Sequence, residues 1–151
     1  MNRHCLQPGT LLFVMVLICV CATTPVHSEE DITIPKTFEN VWYRPSLDRP
    51  GLSVMSDTGT LTVNDNSMEF AGKKERKLIT LSEINSISFK KLGTDFINDW
   101  VIIEYGGKQS PSYAVMSAGK ELGWGGGSDK IFSAIEYVIK KNNLTSVQIN
   151  K

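Results

Sequence analysis

Near the C-terminus, Ile131, Phe132, Ala134, Ile135, Val138 and Ile139 recur at helical spacing. At 100° per residue they fall within an arc of about 160°. Lys130, Ser133, Glu136, Tyr137, Lys140 and Lys141 take the rest of the circumference. A helix with one apolar stripe has to lay that stripe on something. Each large side chain buried there contributes roughly 1.5–3 kcal/mol before entropy is subtracted. Ser128 is placed to cap this helix by accepting a backbone N–H bond, with Asp129 near the positive end of its dipole. Lys140 and Lys141 suit the opposite end, and Asn142-Asn143 can terminate it.

The partner for that stripe has to come from upstream, where the pattern changes from helical to alternating. Leu61 and Val63 alternate with Thr60 and Thr62, and Met68 and Phe70 follow beyond the turn cluster Asn64-Asp65-Asn66-Ser67. The two runs read as a hairpin. Leu52 and Val54 precede them, Asp57-Thr58-Gly59 reads as a turn, and Ile79, Leu81, Ile87 and Phe89 continue the alternation. Trp100 to Tyr105 is nearly all apolar or aromatic, which predicts a strand covered on both faces. Gly106-Gly107 then turns the chain towards Tyr113 to Met116. Six or seven short strands at this spacing point to an antiparallel sandwich or barrel, and an open barrel end is the simplest seat for the helix.

Upstream of residue 51 the reading is less regular. Pro35, Pro45 and Pro50 disfavour a continuous helix, so 29–50 reads as an extended lead-in whose Phe38, Val41, Trp42 and Tyr43 can pack on the body. Before that, Arg3 and His4 precede an apolar run over residues 11–22, which Thr23-Thr24-Pro25 closes. Crossing a bilayer takes roughly 20 apolar residues, so the segment reads as a secretory signal peptide, 1–28, with cleavage after Ala22 as the alternative. All three cysteines, Cys5, Cys19 and Cys21, lie inside it. Cleavage after Ser28 would also remove His27, leaving neither thiol nor imidazole for catalysis or metal binding. A lipidated cysteine is the competing fate, although bulky Ile18 and Val20 precede the two candidates. The 16 basic residues balance 16 acidic ones, which argues against a nucleic-acid binder.

Strands followed by one amphipathic helix resemble the pleckstrin-homology (PH) superfold. Gly59-Thr60-Leu61-Thr62-Val63 with Met68-Glu69-Phe70 resembles the opening hairpin of bacterial PH-like and GRAM-like domains. Ile79-Thr80-Leu81-Ser82-Glu83-Ile84-Asn85-Ser86-Ile87 is similar to their third-strand segment, and Asp95-Phe96-Ile97-Asn98-Asp99-Trp100 with Gly123-Trp124-Gly125-Gly126-Gly127 is similar to an exported bacterial subset. The resemblance covers residues 51–141. It implies a mainly β, PH-like split barrel of about seven antiparallel strands over 51–142, capped by the C-terminal helix, with 143–151 as a tail. It also implies a role in binding lipid, peptide or protein. Phosphoinositide-binding members carry a basic motif across their first two strands; between Leu52 and Val63 the one charged side chain is Asp57, so that specificity does not transfer.

Two segments are candidate sites. Lys73-Lys74-Glu75-Arg76-Lys77 gathers Lys73, Lys74, Arg76 and Lys77 as contacts for an anion or a lipid headgroup, each worth about 1 kcal/mol near an anionic surface. The plainer reading is a solvated hairpin tip. In the loop before the helix, Trp124, Gly125, Gly126 and Gly127 are candidate contacts, since N–H groups at a helix start can hold an anion. That loop lacks the Gly-Lys-Ser/Thr of a phosphate loop, and Asp129 opposes phosphate, which favours a plain connector. Asp95, Asp99 and Glu104 are the carboxylates a small hydrolase would need, though Asp95 and Asp99 fit loop caps better. Asn143-Leu144-Thr145 has the form of a glycosylation acceptor.

The expected function is therefore an exported, non-enzymatic binding module at the cell envelope, periplasmic or secreted, with a protein or peptide partner and no cofactor, metal or nucleic acid. Strand addition at a sheet edge is the docking mode, with the basic segment supplying selectivity. One alternative is a membrane-associated module, binding lipid headgroups or anchored through residues 11–22 or a lipidated cysteine. A second is a carboxylate-dependent hydrolase.

Overall fold

The computed structural model describes residues 32–47, 56–92, 98–119 and 127–151. The signal peptide with its cysteines, Asp95, and the Trp124, Gly125 and Gly126 contacts lie outside the described residues. Eight strands and one helix follow in order: β1 (Lys36–Arg44), β2 (Asp57–Val63), β3 (Ser67–Gly72), β4 (Arg76–Thr80), β5 (Ile84–Lys90), β6 (Trp100–Tyr105), β7 (Ser112–Ala118), α1 (Ser128–Lys141) and β8 (Gln148–Asn150). They form one sheet in the order β4-β3-β2-β1-β7-β6-β5-β8. Every neighbouring pair is antiparallel except β5 and β8.

Alternation explains the register. Leu61 faces Phe70 and Val63 faces Met68 across the β2–β3 hairpin, all four buried, and Asn64 N–H donates to the Ser67 carbonyl at 2.8 Å to close the turn. β6 is buried on both faces, as its composition predicts. Val101, Ile103 and Tyr105 enter the main core; Trp100 and Ile102 join Val115 on the opposite face, against Trp42, Leu92 and Tyr113.

The sheet curls but does not close. β4 and β5 are consecutive, joined by a single 3-10 turn at Leu81–Glu83, yet no ladder links them. Lys77 of β4 nevertheless lies 5.0 Å from the centre of the Tyr105 ring on β6, although four strands separate β4 from β6 in the sheet. The result is the split barrel, with α1 against its interior. Ile131, Phe132, Ile135 and Val138 are fully buried in one core with Leu61, Phe70 and Ile103.

Three parts differ from the sequence reading. The lead-in contains β1, the fourth strand of eight, so the sheet begins well before residue 51. Pro35 and Pro45 flank this strand rather than interrupt it, which reconciles them with a ladder position. β1 changes register between Phe38 and Val41, around Asn40 at φ 53°; Lys36–Phe38 pair only with β2, Val41–Tyr43 pair with β2 and β7, and Arg44 pairs with β7. The tail, too, belongs to the sheet, because β8 pairs with β5.

Ser128 does not cap α1. Its Oγ accepts the Ala118 N–H at 2.9 Å and lies 3.2 Å from the Ser117 Oγ, fastening the helix start to β7. Gly127 is the cap residue at φ 126°, a conformation L side chains rarely adopt, and Asp129 accepts the Gly127 N–H at 3.0 Å. At the other end Asn143 takes the left-handed conformation, φ 54°. Its N–H donates to Lys140 and that of Leu144 to Ile139, the paired bonds of a Schellman motif.

Candidate functional site

The basic segment sits on the β3–β4 turn, and that turn is built around a carboxylate the sequence reading assigned to a different turn. Asp57 opens β2 and is buried. Its side chain accepts N–H bonds from Thr58 (2.8 Å), Lys73 (3.2 Å), Lys74 (2.8 Å) and Glu75 (3.1 Å). Successive N–H groups converging like this form an anion-binding concavity. Here the protein fills it with its own carboxylate. Burial alone would raise the Asp57 carboxyl. The hydrogen bonds from Lys74, Glu75, Thr58 and Lys73 outweigh that and hold it below the usual carboxylate range. Gly72 makes the arrangement possible, since a Cβ there would run into the Asp57 carboxylate.

The four cations then diverge. Lys74 folds back, its Nζ donating to the Ser56 carbonyl at 3.0 Å. Lys77 is half-buried and turns towards Tyr105. Lys73 and Arg76 are exposed, and among the described residues neither has an ion-pair partner. The one acid of the segment, Glu75, hydrogen-bonds Tyr43. Burial pushes the Tyr43 hydroxyl above its ordinary range, and the Glu75 carboxylate reinforces this; the ring stacks on Phe70 with centroids 4.6 Å apart.

Beyond the turn, β4 is an open edge of the sheet. Gly72 N–H donates to the Glu75 carbonyl at 2.9 Å, so Phe70–Lys77 and Met68–Ile79 are the hydrogen-bonded pairs that follow. The backbone groups of Arg76, Leu78 and Thr80 therefore point away from the sheet. Thr80 N–H is taken by the Glu83 carboxylate at 3.2 Å. Leu78 is 63% exposed, the most exposed large apolar side chain among the described residues.

The other candidates have local roles or stand apart. Gly127 caps α1. Asp99 pairs with Lys91 at 3.0 Å, and Glu104 is half-buried on β6 opposite Tyr113. Trp100 is fully buried, with the Arg44 guanidinium 5.9 Å from its ring centre; Arg44 also donates to the Ser46 carbonyl at 3.1 Å and the Leu47 carbonyl at 3.3 Å. Among the described residues no three His, Cys, Asp or Glu side chains are grouped to hold a metal ion, and no helix is long and apolar enough to cross a membrane. Sequence reasoning missed Asp57 and Leu78. A lone acid within a run otherwise free of charge was the available signal for the first; an apolar residue out of phase with Ile79 was the signal for the second.

No family model and no curated protein matches this chain. Among solved structures it is similar to the hSac2 domain from the human phosphoinositide phosphatase Sac2, at 14% identity and a TM-score of 0.50, over 76% of this chain and 77% of that one. It is also similar to a chain of the Spt16D Pob3N heterodimer, at 11% identity and a TM-score of 0.47, over 80% of this chain; it spans 56% of that chain's length. At such identity the Sac2 likeness bears on fold alone, and the fold is PH-like: a curled β-sheet with one C-terminal helix.

Proposed function

We propose that this protein is an exported, non-enzymatic PH-like binding module of a bacterial cell envelope, which takes an extended segment of a protein partner along β4. The open β4 edge carries this reading: outward backbone donors and acceptors at Arg76 and Leu78, beside a largely exposed apolar side chain. Edges of this kind recruit a partner by continuing the ladder. A lipid headgroup is less well supported, because Asp57 already occupies the N–H groups at the β3–β4 turn that would otherwise cradle a phosphate. Export rests on the signal-like segment 1–28. The non-enzymatic reading rests on its removal, which would take every cysteine and both histidines with it.

Leu78→Pro is the discriminating variant, since it deletes an outward N–H while leaving the bonds to β3 in place. A photocrosslinker at Arg76, introduced in producing cells, should yield a protein adduct that Leu78→Pro abolishes. Adducts unchanged by that substitution would place binding elsewhere. Intact mass of the natively produced chain should show loss of residues 1–28 and no acyl group.

A further inference from the structure

We infer that the segment accepted by β4 is acidic as well as extended, an inference that rests on the strand-addition reading above. Cations outnumber acids at the turn end of this edge, whereas Glu69, exposed opposite Leu78, stands one strand further in on β3. Asp57 is enclosed by the turn, Glu75 bonds Tyr43, and Glu83 holds the Thr80 N–H. The cations Lys73 and Arg76 are left facing solvent at the end where a partner strand would run past the turn.

The geometry also sets the spacing. Leu78 stands opposite Glu69 and Arg76 opposite Ala71 on β3, so Arg76, Leu78 and Thr80 share the outer face of the edge, while Ile79 is buried on the inner one. An antiparallel partner would place an apolar residue beside Leu78. A carboxylate two positions C-terminal to it would then lie beside Arg76, and further acids would approach Lys73. Glu83 stops the ladder at Thr80, so the contact is short, a few residues long, and side-chain charge has a large share in choosing the partner. The same cations disfavour a second copy of this chain, as basic residues on edge strands generally do.

The test uses the full chain, 15N-labelled, titrated with the capped peptide Val-Thr-Glu-Thr-Glu and its counterpart Val-Thr-Gln-Thr-Gln. The Arg76 and Leu78 amides should move with the acidic peptide. The glutamine peptide should bind about fivefold more weakly, the effect two exposed charge pairs supply. Lys73→Gln with Arg76→Gln, or half-molar salt, should remove that difference. Leu78→Pro, its fold checked by circular dichroism, should abolish binding. Equal affinity for the two peptides at β4 would overturn the acidic preference and leave strand addition standing. No movement of the β4 amides with either peptide at millimolar concentration would overturn both. Broadening of these amides with protein concentration alone would overturn the inference in favour of self-pairing, and movement only with anionic vesicles would overturn it in favour of a membrane.

Discussion

The two ends of the sheet are finished in opposite ways. At the β5 end, the ladder continues into β8, α1 packs alongside, and the Schellman turn with Leu144 joins helix to strand. At the β4 end nothing described continues the ladder, and the fold invests instead in the turn, where one carboxylate fixes four backbone donors. One end runs out in a three-residue strand whose middle residue, Ile149, packs on the core. The other is held in shape and left bare. A rigid, uncovered edge suits recognition because little conformational freedom is lost when a partner strand arrives.

The contrast breaks most sharply at the β5 end. Phe132, fully buried and packed by Phe89 at 5.6 Å between ring centroids, should cost about 3–5 kcal/mol when replaced by Ala; urea unfolding would measure it, and a small loss would mean that α1 is not the plug. At the bare end, Gly72→Ala drives a methyl group against Asp57 and Phe70 and should cost about 1–3 kcal/mol. Backbone amides 73–75 should exchange with deuterium faster in that variant, while those of α1 stay as they were.

Acid sharpens the comparison further. Asp57 titrates below its ordinary value of about 3.9. Its contribution is therefore complete above that value and is lost as pH falls through the lower, folded-state value. Stability due to this group should stay level from neutral pH to about pH 4 and decline only below it; Asp57→Asn should be less stable at neutral pH and show a shallower acid decline. Smallest of all, Leu78→Ser should leave stability within about 0.5 kcal/mol of the parent while weakening peptide binding at β4. A large stability loss there would mean that Leu78 is already covered.

What the sequence reveals follows from the range of the interactions involved. The α1 stripe and the Leu61–Phe70 hairpin are legible because periodicity writes local structure directly. β6 is legible for the same reason, its two buried faces appearing as an unbroken apolar run. β1 is hidden: flanking prolines and an exposed N-terminal half mask a strand whose partners are some twenty and seventy residues away. Ser128 looks like a cap in sequence because the competing acceptor role, towards Ala118, depends on where β7 lies. The basic segment is visible as composition, but its dispersal is not. Lys74 and Lys77 find Ser56 and Tyr105 only after the sheet curls, and the donors around Asp57 lie sixteen to eighteen residues from it, apart from Thr58.

The unpaired seam between β4 and β5 has a mechanical meaning. With no ladder across it, its two sides are joined by side-chain contacts, among them the Lys77 ammonium 5.0 Å from the centre of the Tyr105 ring. A strand docked on β4 would fix the position of Lys77, and shifted ring signals of Tyr105, across the seam on β6, would register an arrival that residue never touches.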